Sequence, residues 1–585
     1  MKQGNVSHEN EEPGKRNKPR KMYLWITAIL LFCVLIGIAI LYLTRIPGGE
    51  EQQVLQSQEE DAETGSIVEA DNKAAPIPAP TAAPVETSQI DKNKEPEASV
   101  SNLPTDEPEP VPTETAVQDN IYISNLPVIY IDTANAQAVT SKVNYIDATA
   151  RIYGAKDLGG ASLYEGSLRI RGRGNSTWMA PKKPYKIKLE KKADLFHMGE
   201  HKDWILLANY YDQSLMRNML AFGMADKMGF PASDYVSVDL VMNGTYAGNY
   251  LLCRPVEITK DLIEIQDWEK TAEQLAELLV ASDQSLAPKK KELEEALSTD
   301  LSWITDKTFR FQEVTYLVSD YIDLPDITGG YLLELDDTYD EVSKFKTASG
   351  QPIMFKSPEY AATNKEMLTY VQEYIQAFED AVRSEDFSAE YKGARIRYSE
   401  LADMETLVDF WILTEVFGNL DSMFKSTYMY KDIDGKLKFG PIWDFDLCAG
   451  GSMVIEFKDY AETWQTLYRR LSPAQGEQWY RYLLGDTEFR KLVYNRYHSI
   501  RATLIEDIIR TEGVIDQLEA ELSESGQANL EVWPTNSFWN RSTQVPKYED
   551  KVEEVRDWMK RHIAWLDLQF ETYEAFCSSL GFPAE

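Results

Sequence analysis

Cysteine is scarce in this chain of 585 residues, which contains only Cys33, Cys253, Cys448 and Cys577. Their spacing is wide, and Cys33 lies in an apolar run, which leaves an odd number elsewhere. Disulfide frameworks and cysteine-based zinc sites need several cysteines at short, regular spacings. The sequence therefore excludes both as the means of holding this protein together.

Basic residues are also few relative to acidic ones. The chain has 60 Lys and Arg against 95 Asp and Glu, which gives a formal net charge of -35. A general nucleic-acid-binding protein needs a basic surface to neutralise phosphates. The composition therefore predicts that nucleic acid is not a partner, although it allows a local basic pocket.

Charge is absent from residues 22–44, MYLWITAILLFCVLIGIAILYLT. As a helix this segment would be about 34 Å long, which is enough to cross a bilayer. The preceding KRNKPRK (15–21) is basic, so the positive-inside rule predicts a cytoplasmic segment 1–21 and an extracytoplasmic remainder. A cleaved signal peptide is the alternative, but no small-residue cleavage site follows closely. The sequence thus predicts a single-pass anchor in the cell membrane.

Aromatic residues are nearly missing from residues 45–120, which are rich in Pro, Glu and Ala, as in PIPAPTAAPVE and PTDEPEPVPTE. Such a segment cannot bury enough apolar surface to offset the entropy of ordering. Proline and like charges extend a chain of this kind. We therefore predict an acidic, disordered linker that acts as a stalk.

The remaining residues show the patterns of a mixed α+β domain. Alternation predicts strands in SLRIRGRG (167–174) and KPYKIKLE (183–190), and GGYLLELDD (329–337) is also predicted to be a strand. YVSVDLVMNGTYAGNYLLC predicts a hairpin turning at Asn243-Gly244, and DQSLMRNMLAFGMADKMG predicts a helix ending at Gly229. These patterns predict a catalytic core over 121–455.

Helical patterns dominate the rest of the domain. Residues 259–320 are charged and predict a mostly helical insertion, and residues 363–383 and 400–419 also predict helices. A hairpin is expected around Asp434-Gly435. Residues 456–585 predict a helical C-terminal part of the same domain.

The stretch PIWDFDLCAG (441–450) places two carboxylates two residues apart. On a strand, Asp444 and Asp446 would share one face, and carboxylates held close together repel unless a cation or a shared proton lies between them. The alternative is a solvent-facing polar pair beside a turn. Asp421 precedes the hairpin that ends at Asp444, so an antiparallel return can bring all three carboxylates together. One could orient a hydroxyl while the others hold Mg²⁺.

A dense basic cluster, RIRGRGNSTWMAPKKPYKIKLEKK, covers residues 169–192. Its glycines allow backbone N–H groups to approach an anion, and its Lys and Arg side chains supply positive charge. The alternative is a solvated basic face on a hairpin. Two further readings stay open for Asp212, Arg217 and Asn218: a helix cap with its ion-pair partner, or contact with substrate.

Nine blocks in the same order, over about residues 120–455, resemble the CotH (spore coat protein H) kinase family. The blocks are RGRGNSTW, KKPYKIKL, KDWILLANYYDQSLMRN, GTYAGNYLL, GGYLLELDD, FKT at 345–347, FKSPE at 355–359, WILTEVFGNLDS and KFGPIWDFDLCAGG. The resemblance implies an atypical protein-kinase-like domain that uses ATP and Mg²⁺ or Mn²⁺ to phosphorylate Ser or Thr.

The resemblance also assigns roles to individual residues. It implies that Asp421 is catalytic and that Asp444 binds metal, with Asp446 as the second acidic partner. The candidates for phosphate contact are Arg171, Lys183, Lys186 and Lys188. This chain departs from the family pattern in two places. Cys253-Arg254 follows the GxY-L-L strand where relatives commonly place an acidic residue, with Glu257 further on, and Ser426 occupies the place of an expected Asn metal ligand.

Together these features predict a membrane-anchored, extracytoplasmic protein kinase that acts on a Ser/Thr-rich surface or coat protein. One alternative is a non-catalytic adhesion or scaffold protein on a kinase-like fold, because a fold does not determine a function. A carbohydrate hydrolase is a third possibility, for which the tryptophans of 531–566 could stack on sugars, although no acid and nucleophile pair is evident there.

Overall fold

The computed structural model describes residues 122–419, 421–451, 479–536 and 543–584. The predicted anchor (22–44), the predicted stalk (45–120) and the start of the predicted helical part (456–478) lie outside these residues. Within the described ranges, no helix is both long enough and apolar enough to cross a membrane.

Seven strands of the described chain close into a barrel in the order β1-β2-β3-β4-β5-β7-β6. All neighbours are antiparallel except β1 and β6, which are parallel. Alternate residues fill the interior, including Ile131, Ile170, Leu189, Leu240 and Leu252. The strands are β1 (Val128–Thr133), β2 (Ile146–Tyr153), β3 (Ser162–Gly172), β4 (Tyr185–Asp194), β5 (Glu200–Leu207), β6 (Tyr235–Met242) and β7 (Thr245–Cys253).

Two local predictions in this region are confirmed. The hairpin of β6 and β7 turns at Asn243 and Gly244, both with positive φ. The helix before it ends where Gly229 adopts a left-handed conformation and its N–H bonds back to the last turn. The two short helices of this region are α1 (Ser176–Met179) and α2 (Arg217–Met228).

The insertion at 259–320 is helical only in its first two thirds. Its final residues, Thr308–Phe311 and Val314–Leu317, pair as a small antiparallel hairpin. The prediction of a mostly helical insertion is therefore confirmed, and the hairpin is the exception, because Phe309 and Phe311 alternate with exposed residues and bury one face of a strand. The elements are α3 (Trp268–Ser282), α4 (Lys290–Thr299), α5 (Trp303–Asp306), β8 (Thr308–Phe311) and β9 (Val314–Leu317).

A second sheet of five strands has the order β11-β12-β10-β15-β16. A small hairpin of β13 and β14 accompanies it. The strands are β10 (Tyr331–Leu335), β11 (Lys344–Lys346), β12 (Pro352–Ser357), β13 (Ser388–Tyr391), β14 (Ala394–Arg397), β15 (Thr427–Lys431) and β16 (Lys438–Phe439).

Helices pack around this sheet and share one large apolar core with it, which includes Trp268, Trp303, Trp411 and Trp479. The helices predicted at 363–383 and 400–419 and the described part of the helical C-terminal segment are confirmed. They are α6 (Lys365–Arg383), α7 (Tyr398–Leu401), α8 (Met404–Phe417), α9 (Trp479–Leu483), α10 (Thr487–Ile500), α11 (Glu506–Ile509), α12 (Val514–Val532), α13 (Tyr548–Gln569) and α14 (Tyr573–Leu580).

Candidate active site

One cavity collects polar residues from segments that are far apart in the sequence. The loop between β3 and β4 forms one wall, the end of β10 and strand β12 form another, and residues 421–428 and 443–447 form the floor. Its lining consists of Arg173, Gly174, Asn175, Ser176, Thr177, Tyr211, Glu334, Asp336, Thr338, Asp340, Glu341, Met354, Lys356, Asp421, Lys425, Ser426, Tyr428, Trp443, Asp444, Asp446 and Leu447. The three carboxylates predicted from the sequence therefore share one cavity.

Asp421 is positioned by the end of α8. That helix stops at Gly418, which adopts a left-handed conformation, and the side chain of Asn419 then accepts the Asp421 backbone N–H at 3.2 Å. Burial, and next the negative charge of Asp444, raise the pKa of Asp421 to about 7. A carboxyl group with such a pKa is suited to accept a proton near neutral pH.

Asp444 and Asp446 reach the cavity by a route that differs from the predicted strand. Strand β16 ends at Phe439, Asp444 has a φ of 65°, and a turn begins at Asp446. The strand interpretation of these residues is therefore wrong, because the chain has already left the sheet and turns sharply. The solvent-facing alternative is wrong as well, since Asp446 is only 6% exposed.

The environment of these two carboxylates is strongly unfavourable to their charged forms. Burial raises the pKa of Asp444 above its ordinary value. Burial, and then the charges of Asp444 and Asp421, hold the pKa of Asp446 well above its usual range. The charge of Arg217 opposes this rise in the pKa of Asp446 only in part. A cation placed between these groups would remove their mutual repulsion.

The donor set of the cavity fits a hard divalent cation, because it consists of carboxylate and hydroxyl oxygens. In the part of the chain that the structure describes, no group of three or more His, Cys, Asp or Glu side chains forms a ready metal cage. Mg²⁺ does not require one, because it is usually held by one or two carboxylates together with waters and substrate phosphates.

The start of α2 holds the loop that carries Asp444 and Asp446. The side-chain oxygen of Asn218 accepts the backbone N–H of Phe445 at 2.8 Å. Arg217 donates from Nε to the carbonyl of Cys448 at 2.7 Å, and it is ion-paired with Asp212, whose carboxylate also accepts the Arg217 backbone N–H. None of Asp212, Arg217 and Asn218 lines the cavity. The predicted ion pair of Asp212 with Arg217 is confirmed, but Asp212 is not the N-cap residue of α2, because that position is Met216, whose side chain makes no capping hydrogen bond.

We expect Asn218→Leu, which keeps the branched shape of the side chain, to lower the free energy of unfolding by about 1–3 kcal/mol, the cost of leaving the buried N–H of Phe445 without an acceptor. The loop bearing Asp444 should also bind Mn²⁺ less tightly. Denaturant unfolding and Mn²⁺ titration measure the two effects. Met219→Leu, at the next position of the helix, is the matched control. Equal stability of Asn218→Leu and Met219→Leu would contradict the role given to Asn218.

The residues predicted to contact phosphate do not line this cavity. Lys183 donates to the carbonyl of Trp178 at 2.7 Å. Lys186 and Lys188 both pair with Asp203, at 3.2 and 3.4 Å, and Arg171 donates to the carbonyl of Lys142. Strand pairing explains this placement, because Lys188 lies directly opposite Asp203 on β5. The basic face is thus largely partnered within the protein.

Other basic residues, to which the sequence patterns assigned no role, line the cavity instead. Lys356 lies between Glu334, at 3.2 Å, and Glu341, with which it also forms an ion pair. The guanidinium of Arg173 lies 5.5 Å from the ring centre of Trp443, and its charge acts on Asp444. Both residues occur within the quoted blocks RGRGNSTW and FKSPE, which were the only signals of their importance.

The two departures from the family pattern have distinct surroundings. Burial, and then the charge of Asp203, raise the pKa of Glu257 to about 7, and Lys186 opposes this rise. Ser426 lines the cavity and donates its hydroxyl to Asp444 at 3.1 Å. Ser426 therefore belongs to the carboxylate cluster, whereas Glu257 belongs to the group around Lys186 and Asp203.

Comparison with protein families identifies the matched region. A family model described as CotH kinase protein matches residues 168–566, which is more than half of the chain. The match runs from β3 into α13, so it includes the whole cavity and extends beyond the blocks quoted above into the C-terminal helices. A search of curated proteins finds no match.

Proposed function

Because the chain belongs to the CotH kinase family, we propose that it transfers the terminal phosphate of ATP to a Ser or Thr hydroxyl of a protein. The observation that carries this proposal is the convergence of Asp421, Asp444 and Asp446 in one cavity that also contains Lys356 and Arg173. Phosphoryl transfer needs this combination, because catalysis consists mainly of positioning and of compensating charge. An atypical protein-kinase-like fold is part of the proposal.

Asp421 is proposed to accept a hydrogen bond from the attacking hydroxyl and to take its proton as the new bond to phosphorus forms. Its raised pKa and its place on the cavity floor suit that task. Lys425, four residues later, forms an ion pair with Asp337 at 2.5 Å and lines the same floor. Its positive charge partly offsets the carboxylates around it.

Asp444 and Asp446 are proposed to hold Mg²⁺ or Mn²⁺. Such an ion, when bound, supplies positive charge that neutralises phosphate oxygens during transfer. The residues themselves contribute an oxygen-rich corner that Asn218 and Arg217 keep in place. Burial of this corner restricts water and strengthens each electrostatic interaction inside it.

Lys356 and Arg173 are proposed to contact the phosphates of ATP, because they are the cavity-lining cations on the walls beside these carboxylates. Phosphate contact remains a prediction for the four residues assigned to it from the sequence, which are Arg171, Lys183, Lys186 and Lys188. Each of them would have to exchange a present partner for phosphate.

We expect Lys356→Met to weaken ATP binding about tenfold or more, the effect of losing a charge-assisted hydrogen bond of roughly 1.5–3 kcal/mol. Lys186→Met, which removes the same charge on the barrel, should have a smaller effect. Isothermal titration of ATP into the folded variants measures both. If Lys186→Met weakened ATP binding more than Lys356→Met, the phosphate contacts would instead be made by the lysines of strand β4.

The proposed activity is tested by incubating the purified full chain with γ-labelled ATP and candidate surface or coat proteins, with and without Mg²⁺ or Mn²⁺. Metal-dependent label on Ser or Thr is the expected result. Metal-dependent ATP binding without any transfer to protein, including to the chain itself, would instead favour the non-catalytic scaffold.

We further propose that residues 22–44 anchor the protein in the cell membrane with the catalytic part outside. The uncharged segment and its basic flank support this topology. Protease added to intact cells should then release the part that contains Asp421. Protection of that part in intact cells, with digestion only after lysis, would contradict the proposed orientation.

A further inference from the structure

The loop between β3 and β4, residues 173–184, forms one wall of the cavity and is held by the C-terminal part of the domain. Its first residue, Arg173, lines the cavity. The backbone N–H of Arg173 donates to the carbonyl of Pro184 at 3.2 Å, which closes the base of the loop. Residues 529–536, which are the end of α12 and the four residues after it, do not line the cavity but contact this loop and its neighbours.

Asn529 joins the loop to the barrel. Its side-chain oxygen accepts the ammonium group of Lys182 at 2.8 Å and the backbone N–H of Asn249 at 3.2 Å. Lys182 is only 1% exposed, so its ammonium group depends on such partners. Gly248, with a φ of 109°, allows the approach, because a Cβ there would lie 2.6 Å from Oδ1 of Asn529 and 2.9 Å from Nε1 of Trp533. The position of Lys182 in the loop is therefore tied to α12.

Trp533 packs against a small apolar cluster at the cavity wall. The cluster consists of Ala180, Tyr210, Tyr211 and Leu447. Tyr211 and Leu447 also line the cavity, and Ala180 belongs to the wall loop. The indole N–H of Trp533 donates to the carbonyl of Ala247 on β7 at 2.8 Å. The ring is thus fixed to the barrel and supports residues that face the cavity.

Tyr211 links residues 529–536 to the wall loop. Its hydroxyl donates to the carbonyl of Ser176, a cavity-lining residue of the loop, at 3.2 Å. Its backbone carbonyl accepts the side-chain amide of Asn536 at 3.0 Å, and the side-chain amide of Gln213 donates to the carbonyl of Pro534 at 3.2 Å. Tyr211 therefore contacts the wall loop through its side chain and the C-terminal part through its backbone.

We propose that Trp533 is a positioning residue for ATP: it holds Tyr211 and the wall loop so that Arg173 faces the phosphates. This inference rests on the proposed function and gives the C-terminal part a role in a cavity that residues 529–536 do not line. A displacement of about 1 Å caused by a distant substitution can cost about 10²-fold in rate. A residue behind the wall can therefore control the site without contact with ATP.

Titration of Mg-ATP into the purified full chain tests the proposal. We expect Trp533→Leu to weaken binding about tenfold or more, because the wall loop loses its support. Trp565→Leu is the matched control, since Trp565 is also a half-buried tryptophan of the C-terminal part but packs against the large core instead. Trp533→Phe keeps a ring behind the wall and should restore most of the affinity. Equal ATP affinities of Trp533→Leu and Trp565→Leu would overturn the assignment.

A double substitution separates positioning from general stability. In an Arg173→Met background the contact that Trp533 positions is already absent, so Trp533→Leu should weaken ATP binding much less than in the parent. An equal loss in both backgrounds would show that Trp533 acts only through the stability of the domain, which overturns the proposal. Melting checks that each variant is folded. Asn536→Ala, which removes only the bond to the Tyr211 carbonyl, replaces Trp533→Leu if the latter unfolds, with a smaller loss expected.

Amide hydrogen exchange without nucleotide tests the structural step by itself. Trp533→Leu should speed exchange in residues 173–184, whereas Trp565→Leu should leave it unchanged. Unchanged exchange of these residues in Trp533→Leu would overturn the role given to Trp533.

The parent chain distinguishes this inference from the function on which it rests. Equally tight ATP binding by the parent and by Trp533→Leu removes Trp533 from the site and leaves the kinase proposal intact. Failure of the parent to bind ATP would overturn both.

Discussion

Replacement of Asp444 by Asn is expected to abolish both metal-dependent ATP binding and phosphoryl transfer. The substitution keeps the shape of the side chain and its ability to accept the Ser426 hydroxyl, but it removes a negative charge from the corner proposed to hold the metal. Because the ion supplies the charge that compensates the phosphates, ATP should bind no better with Mg²⁺ than without it. Titration of ATP in the presence of Mg²⁺ or EDTA measures this difference directly.

Proton release gives a second readout for Asp444→Asn. Burial raises the pKa of Asp421 to about 7, and it also raises the pKa values of Asp444 and Asp446, so this cluster holds protons to a higher pH than ordinary carboxylates do. Cations bind the deprotonated carboxylates, so Mn²⁺ binding to the parent should release protons and tighten as the pH rises. Calorimetry in two buffers of different ionisation enthalpy counts these protons. Metal-dependent ATP binding that persists in Asp444→Asn would contradict the assignment.

Replacement of Asp421 by Asn is expected to lower phosphoryl transfer by about 10²-fold or more, which is the scale of a positioned general base. Mg-ATP should still bind almost normally, because Asp421 is assigned to the acceptor hydroxyl rather than to the metal. Single-turnover transfer at saturating ATP measures the first effect, and calorimetry measures the second. The contrast with Asp444→Asn is what tests the division of roles.

Two outcomes would change this picture of Asp421. Loss of metal binding equal to that in Asp444→Asn would keep the shared cavity but make Asp421 a metal ligand. Unchanged transfer would mean that proton removal is not assisted at this position. Asp337→Asn is the matched control, since it removes a neighbouring carboxylate that pairs with Lys425 on the same side of the cavity.

Local order in this domain followed directly from the sequence. Gly229 ends a helix and Asn243-Gly244 turns a hairpin because these residues tolerate backbone conformations that others adopt only with strain. Alternation placed β3 and β4, since a strand with one buried face must repeat every two residues. The approach of Asp421 to Asp444 was also predictable, because they flank one antiparallel hairpin.

Tertiary structure decided which charges meet. Lys186 and Lys188 looked free in the sequence, but strand pairing sets Asp203 opposite Lys188 and within ion-pair distance of Lys186, and no local pattern encodes that neighbour. Lys356 lies on β12 and Asp336 directly follows β10, and both are far along the chain from Asp444. Only the order of the strands in the sheet brings the three residues into one cavity. Periodicity records which face of an element is buried, whereas a site depends on which elements become neighbours, and that choice is made by the packing of the whole domain.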